Sequence, residues 1–156
     1  MGESKGRHEL KHYINYADVL QLRSRLPFVA SLDENAVDRK GYLVKSLYFD
    51  NYSDKVLKEK IDGVNEREKF RIRLYNDNNS FIRLEKKSKK GGLCFKESAT
   101  LTESECRQLL NGDIDVLKDK KEPLCLELYT KMHYQQLRPK NIVIYKREAY
   151  IYPMGN

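Results

Sequence analysis

A chain of 156 residues with 40% hydrophobic and 34% charged residues and a formal net charge of +7 is typical of one soluble globular domain. No apolar run approaches about 18 residues and the first residues lack an apolar stretch, which excludes a transmembrane helix and a secretory signal. Three widely spaced cysteines without a CxxC pair favour reduced thiols and a cytoplasmic protein.

The first third of the chain predicts a strand, a helix and a loop. Residues 7–14 alternate with a period of two, which indicates a strand. One set is Arg7, Glu9, Lys11 and Tyr13, and the other is His8, Leu10, His12 and Ile14. Asn15 is suited to cap a helix over residues 16–26, where apolar side chains recur at helical spacing until Pro27. The polar segment 30–41 ends in a glycine and predicts a loop.

The middle of the chain predicts two charged strands joined as a hairpin. Residues 41–51 are rich in aromatic and aliphatic side chains and predict a strand, and a short helix over 52–60 follows it. Residues 66–75 and 80–89 each set charged against apolar side chains in alternation. The Asn and Asp residues at 76–79 are typical of the loop between such strands.

The last third predicts two helices between two strands. Residues 93–101 and 141–152 have the composition of strands, and Thr102 with a glutamate three residues later predicts a helix over 103–111. A second helix is predicted over 123–137. Antiparallel strands with inserted helices, without strict alternation of strand and helix, favour an α+β fold or a partly closed barrel.

Basic residues are concentrated between Arg67 and Lys96. Ten basic residues stand there against three acidic ones, which accounts for the whole excess of positive charge. This concentration predicts a site for a polyanion such as nucleic acid, anionic lipid or a phosphate chain, and the alternative is a solvated basic surface. Lys69, Arg71 and Arg73 share one face of their strand. If that face points inwards, it predicts a polyanion site, and if it points outwards, it is a solvated surface.

Acidic residues are rare on the charged strand faces. Glu9 and Glu85 each stand singly among cations, whereas a solvated surface usually mixes both signs. A sheet curled into a barrel with helices outside would turn these faces inwards, where an unpaired cation is costly to desolvate. A phosphate chain offsets that cost through charge-assisted and bidentate bonds to arginine. The pattern therefore favours an inward-facing phosphate site over a convex surface for duplex nucleic acid.

Motifs spread over residues 7–153 resemble those of VTC-type polyphosphate polymerase domains, which belong to the triphosphate tunnel metalloenzyme superfamily together with the CYTH phosphatases. In order they are RHELKHYI, KSLYFDN followed by KIDGV, KFRIRLY, RLEKKSK, CFKES and IYKREAYIYP. The resemblance implies one α+β tunnel domain over residues 1–156. Its core would be an antiparallel β-barrel lined by basic residues, with helices packed outside.

The resemblance also implies a chemistry. Polymerase members transfer the γ-phosphoryl group of ATP to a growing polyphosphate chain with a divalent metal, Mn²⁺ or Mg²⁺, and such transfer depends mainly on charge neutralisation and positioning. The positions that match phosphate ligands of the family are Lys11, Arg71, Arg73, Lys87, Lys96 and Arg147. Those expected to take part in catalysis are Arg71, Arg73, Lys87 and Arg147. Glu9 and Glu85 match acidic tunnel positions and are expected to bind the metal.

The sequence differs from the family pattern at its end. Family members continue with further strands that supply the main metal-binding glutamate and more lysines, whereas this sequence ends at Asn156 and matches about the N-terminal two-thirds of the fold. Either the chain is shortened, or another chain completes the barrel, because open sheet edges favour a homo-oligomer. The open functional alternatives are a polymerase-related domain that binds polyphosphate and nucleoside triphosphate, a non-catalytic polyanion-binding module, and a CYTH-like triphosphate hydrolase. None of them implies specific binding of nucleic acid.

Overall fold

The computed structural model describes residues 6–34 and 41–153, and the strands of these residues form one large antiparallel sheet and a small ribbon. The large sheet consists of β2 (Tyr42–Asp50), β3 (Arg67–Tyr75), β4 (Ile82–Lys90), β5 (Leu93–Leu101) and β6 (Arg138–Arg147). Their spatial order is β5-β4-β3-β2-β6. The ribbon pairs β1 (Ser31–Leu32) with β7 (Tyr150–Ile151).

The helices lie close to their predicted positions. Their bounds are α1 (Tyr16–Arg25), α2 (Lys55–Ile61), α3 (Glu103–Leu110) and α4 (Pro123–Tyr134). Both predicted N-caps are confirmed, because Asn15 and Thr102 each form a reciprocal capping box with the residue three positions later. None of the described helices is long and apolar enough to cross a membrane.

The core lies between one face of the large sheet and the helices α3 and α4. Phe70 and Ile72 of β3 and Leu84 of β4 are buried there, together with Leu128 and Met132 of α4. The apolar residues of β3 and β4, which alternate with the charged ones, thus pack on the helices, because alternate residues of a strand face opposite sides of the sheet. The charged parity consequently lies on the opposite face of the sheet.

The first predicted strand is wrong. Residues 7–14 form no strand, and the segment is joined to the sheet by one bridge, in which Arg7 and Cys94 exchange backbone hydrogen bonds of 3.0 Å. Alternation alone cannot make a strand, because each strand also needs a neighbour for its backbone groups. Beyond Arg7 the segment forms no further bridge to β5, and residues 8–14 are exposed, although the side chain of Glu9 is only 28% exposed.

The ends of the chain's last strand also differ from prediction. β6 begins at Arg138, and a register shift between Tyr48 and Phe49 of β2 accommodates Pro139 within it. Residues 150–151 pair instead with β1, which lies in the segment predicted as a loop. Of that segment, residues 35–40 lie outside the described residues.

Gly41 marks the start of β2, where the predicted loop ends. Its φ angle is +77°, and a Cβ atom at this position would lie 2.3 Å from the carbonyl oxygen of Arg147. A side chain is therefore excluded by both conformation and space, and the glycine lets β2 start directly beside the end of β6.

The described strands form an open sheet. β5 and β6 lie at its two edges, and within residues 6–34 and 41–153 no strand pairing joins them. The α+β class and the antiparallel pairing are thus confirmed. Closure into a tunnel-type barrel is not formed by the described residues and stays a prediction.

Candidate functional site

The strand register gathers the charged residues on the sheet face that is opposite the helices. Glu85 lies between Arg71 of β3 and Ser98 of β5, and Lys87 lies between Lys69 and Lys96 in the next row. We call this surface the basic face. Its charged members are Arg67, Lys69, Arg71, Arg73, Arg83, Glu85, Lys87, Lys89, Lys96 and Arg147.

Glu85 is the shared counter-ion of three cations at the centre of the basic face. Its carboxylate lies 2.6 Å from a guanidinium nitrogen of Arg71, 2.6 Å from Nζ of Lys96 and 3.7 Å from Nη1 of Arg73. Glu85 is 1% exposed, and both arginines are buried as well. The two arginines expected to bind phosphate therefore do not lie in bulk water.

Hydroxyl groups fix the orientation of both arginines. Arg71 donates to the hydroxyl of Tyr48 at 3.1 Å. Arg73 donates through Nε to Oγ of Ser46 at 3.0 Å and through Nη2 to the hydroxyl of Tyr145 at 3.2 Å. Sequence analysis did not single out these hydroxyls for the site. A usable signal was present, because Ser46 and Tyr48 share one parity of β2, but the strand register was needed to place them beside the arginines.

The local charges keep Glu85 ionised despite its burial. Burial alone would raise the pKa of this carboxyl, but the hydrogen bond from Lys96 and the charge of Arg71 outweigh it and lower the pKa below its ordinary value. Tyr48 shows the same balance. Burial raises the pKa of its phenol. The hydrogen bond from Arg71 and the charges of Arg71 and Lys69 lower this pKa by more, so the net shift is downwards.

Glu9 supplies a second carboxylate to the basic face from the N-terminal segment. It accepts a hydrogen bond from Lys87, and Nζ of Lys11 lies 3.8 Å from its other oxygen. The bond from Lys87 lowers the pKa of Glu9 more than its partial burial raises it. The segment that carries Glu9 is held at β5 by the bridge between Arg7 and Cys94.

A cavity of about 310 Å³ opens beside this second carboxylate, between the basic face, the N-terminal segment and α2. Among the described residues, the acidic members of its lining are Glu9 and Glu68. The basic side chains of its wall are Lys11, Lys60, Arg67, Lys69, Lys87 and Lys89. A space of this size with such a wall suits a ligand that carries several negative charges.

Lys69 differs from the other cations at the centre of the basic face. It has no carboxylate within ion-pair distance among the described residues, and its Nζ lies 5.5 Å from the centre of the Tyr48 ring. Burial lowers the pKa of Lys69, and the charges of Lys11 and Lys87 lower it further. Sequence analysis noted its strand face but did not place it in the site. An anion in the cavity would remove the electrostatic cost that this ammonium bears.

Comparison with models of known protein families identifies the family of this chain. The model of the VTC domain matches residues 6–156 of the chain. The chain belongs to the VTC domain family. No curated protein matches it. Membership of this family is consistent with a polyphosphate-related function in general.

The VTC domain brings together five of the six predicted phosphate ligands in two groups. Lys11 and Lys87 surround Glu9. The other group, around Glu85, consists of Arg71, Arg73 and Lys96. The sixth, Arg147, lies on the same face at the end of β6, opposite Tyr42 of β2. No ion pair or hydrogen bond between described residues joins Arg147 to the other five. All six assignments stay predictions.

Glu9 and Glu85, the predicted metal ligands of the VTC domain, each face side-chain cations. Within the described ranges no group of three or more His, Cys, Asp or Glu residues could hold a metal. Mn²⁺ and Mg²⁺ need several oxygen donors, which two carboxylates already opposed by cations do not offer. The arrangement does not fit a metal held by these two residues alone, and their role as metal ligands stays a prediction.

The cavity wall formed by α2 is fixed to the sheet of the VTC domain by Asp50. The buried carboxylate of Asp50 accepts hydrogen bonds from the backbone amides of Val56 at 3.0 Å and Leu57 at 3.2 Å. These amides belong to the first turn of α2, where a carboxylate is favourable. Asp50 therefore places Val56 and Lys60 at the cavity.

Proposed function

We propose that the basic face binds inorganic polyphosphate or a nucleoside triphosphate, in a domain related to ATP-dependent polyphosphate synthesis. One observation carries the proposal. Among the described residues, five predicted phosphate ligands contact only two carboxylates, and a cavity with a further excess of basic side chains adjoins them. A linear polyanion has the charge density and the length to satisfy both regions at once.

The proposed ligand matches the donors in type as well as in charge. The guanidinium groups of Arg71 and Arg73 present fixed forks that suit non-bridging phosphate oxygens, and the hydroxyls of Ser46, Tyr48 and Tyr145 hold these forks in place before the ligand arrives. Such preorganised donors are what phosphoryl transfer requires, because the transition state gains charge on its oxygens without a covalent nucleophile.

The tunnel, the metal and the location of the protein belong to the same proposal. Further strands beside the open sheet would cover the basic face and close a tunnel around the ligand. A divalent metal, when bound, would supply further neutralisation of phosphate charge. Three free cysteines, Cys94, Cys106 and Cys125, suit a reducing cytoplasm.

A second candidate is a polyanion-binding module without catalysis. It is favoured by one observation, which is that the carboxylates of Glu9 and Glu85 are both directed at side-chain cations. In such a module these carboxylates would serve only as internal counter-ions until a polyanion displaces them.

Two measurements separate the candidates. Incubation with ATP and Mn²⁺, followed by gel electrophoresis, distinguishes growth of polyphosphate chains from release of orthophosphate and from binding without turnover. Titration with fluorescently labelled polyphosphate measures affinity directly. We expect the double variant Arg71→Gln with Arg73→Gln to lose at least about tenfold in affinity, since charge-assisted bonds contribute on the order of 1.5–3 kcal/mol each.

Controls keep this test independent of folding. Lys69→Met removes a cation without a carboxylate partner and should also weaken binding. Arg107→Gln removes an exposed cation of α3 that is paired with Glu103, and it should leave binding unchanged. Unchanged affinity in the double variant and in Lys69→Met would show that the basic face is not the binding site.

A further inference from the structure

A second cavity of about 240 Å³ lies beside the cavity of the basic face, which we now call the first cavity. It is lined by residues of α2, the start of β3, the end of β4 and the C-terminal part of α4 with the residues after it. The buried side chains of Phe70 and Leu137 contribute an apolar part of this lining. Among the described residues, neither edge strand of the large sheet, β5 or β6, contributes to it.

The two cavities adjoin at the ends of β3 and β4. The residues that line both of them are Val56, Arg67, Glu68, Ser88 and Lys89. Arg67 and Lys89 lie directly opposite each other in the pairing of β3 with β4. Like charges in such a pair destabilise it, and an anion beside them offsets this cost. The boundary between the two cavities is therefore itself suited to an anion.

The second cavity carries an excess of positive charge. Its acidic lining residues are Glu59, Glu66 and Glu68, and its basic ones are Lys55, Arg67, Lys89, Lys90 and Lys131. Glu59 is paired with Lys55 at 3.7 Å, and Glu68 is paired with Lys131. Lys90 is exposed and has no carboxylate within ion-pair distance among the described residues. The free charge of this lining is thus mainly basic.

Two lysines of the second cavity act on each other. Burial lowers the pKa of Lys131, and the charge of Lys55 lowers it further, while the charge of Glu59 opposes these effects only in part. The two ammonium groups therefore lie close enough to repel each other, although each also has a carboxylate partner. An anion beside both lysines would favour their charged forms.

We propose that the second cavity is an extension subsite for polyphosphate, in which a chain bound on the basic face continues past Arg67 and Lys89 around the strand ends. There the chain lies beside Lys55, Lys90 and Lys131. This inference rests on the proposed function, because one chain occupies both cavities. Its second contact is intramolecular, so even weak binding in the second cavity strengthens the binding of long chains. The domain therefore prefers long chains to tripolyphosphate.

The proposal is tested with two ligands of different length, tripolyphosphate and long-chain polyphosphate. Fluorescence anisotropy of each labelled ligand measures its affinity for the full chain at one salt concentration, since salt screens contacts between exposed charges. The double variant Lys55→Gln with Lys90→Gln removes two cations that line only the second cavity. We expect its affinity for long-chain polyphosphate to fall about fivefold and its affinity for tripolyphosphate to equal that of the wild type.

The matched control is the double variant Lys58→Gln with Lys121→Gln. It removes the same number of exposed lysines, one of them also from α2, and neither residue lines a cavity. Because its net charge equals that of the test variant, it reports the effect of overall charge alone. It should bind both ligands as the wild type does. Thermal unfolding checks that both double variants are folded.

Two results would overturn the extension subsite and leave the proposed function standing. In the first, the Lys55→Gln with Lys90→Gln variant binds long-chain polyphosphate as tightly as the wild type. In the second, it loses the same factor for both ligands, which would mean that the second cavity binds short anions independently of chain length. Failure of the proposed function is recognised separately, because the wild type would then bind neither ligand, and the subsite would be overturned with it.

Discussion

Glu85 and Arg71 form the central ion pair of the basic face, with 2.6 Å between a carboxylate oxygen and a guanidinium nitrogen. The second oxygen of Glu85 lies 2.6 Å from Nζ of Lys96, so one buried carboxylate binds donors from two neighbouring strands. An oxygen of a bound phosphate would need the same donors. We therefore expect Glu85 to act as an internal counter-ion that stabilises the empty site and competes with the ligand.

The variant Glu85→Gln tests this role through stability. Removing the charge leaves Arg71 and Arg73 buried without a counter-ion, and loss of one partner of a buried pair costs roughly 3 kcal/mol. The free energy of unfolding, measured with urea at neutral pH, should fall by about that amount. Tripolyphosphate should restore part of it, and the rise in Tm on adding tripolyphosphate should be larger in the variant than in the wild type.

Glu97→Gln is the matched control for this experiment. Glu97 lies on β5 like Lys96, but its carboxylate contacts Lys86 at 3.3 Å. Glu97 is 47% exposed, and Lys86 keeps a closer partner in Glu127 at 2.7 Å, so the loss of this pair should cost less than about 1 kcal/mol. If tripolyphosphate stabilises the Glu85→Gln variant no more than the wild type, Glu85 does not compete with the ligand.

The contribution of Glu85 should depend on pH in a defined direction. The pKa of Glu85 in the folded protein lies below its ordinary value of 4.5. The ionised carboxylate therefore stabilises the fold fully above about pH 4.5, and this stabilisation is lost as the pH falls through the lowered pKa. The difference in unfolding free energy between the wild type and Glu85→Gln should shrink steadily from pH 5 to pH 3, about the range of such a titration. A difference that stays constant over that range would contradict the assignment.

Asp50→Ala tests the support of the cavity wall. The change leaves the amides of Val56 and Leu57 without their buried acceptor, which costs on the order of 1–3 kcal/mol. It also releases the start of α2, which carries Lys60. We expect lower stability in urea and weaker binding of tripolyphosphate.

Thr102→Ala is a matched control because it too removes a side-chain acceptor from an amide in the first turn of a helix, at a cost of about 1 kcal/mol. Thr102 begins α3, which does not line the cavity. The Thr102→Ala variant should bind tripolyphosphate as tightly as the wild type does, at a temperature where Thr102→Ala and Asp50→Ala are both folded. Equal binding by Asp50→Ala would mean that α2 does not shape the site.

Local patterns in the sequence predicted most of the elements and the side of the sheet on which the charges lie. Alternation in residues 66–75 and 80–89 gives the two faces of β3 and β4 directly, and the caps at Asn15 and Thr102 give helix starts, because both signals depend on neighbours in the chain. Residues 7–14 show the limit of this reasoning. Their alternation is as regular, but only a partner strand turns alternation into a strand.

Which side chains contact each other in the site depends on the register of the paired strands, and this register cannot be read from the sequence. Glu85 binds Arg71 because the hairpin places those two positions opposite each other, and Tyr145 reaches Arg73 across β2 from a strand 72 residues away in sequence. A single-residue shift in any pairing would change these contacts. For the same reason the sequence showed that Lys69 is basic, but not that this cation at the centre of the basic face has no carboxylate partner among the described residues.

Lys69 should take up a proton when a polyanion binds. Burial and the neighbouring cations Lys11 and Lys87 lower its pKa in the free protein from the ordinary value of 10.5. A bound anion opposes both effects and raises the pKa again. At alkaline pH just below 10.5, binding of tripolyphosphate should therefore be accompanied by proton uptake. Isothermal titration calorimetry in two buffers with different ionisation enthalpies measures the number of protons.

Lys69→Met removes this titrating group and should abolish the alkaline proton uptake that Lys69 provides, while weakening binding. Lys118→Met serves as the control, because Lys118 is an exposed lysine whose charge is paired with Asp115 at 2.9 Å, away from the cavity. Its proton uptake should match that of the wild type. The uptake from Lys69 should decrease as the pH is lowered, because more of the Lys69 side chain is then protonated before the anion binds. Equal uptake by the wild type and Lys69→Met at alkaline pH would place the bound anion away from Lys69.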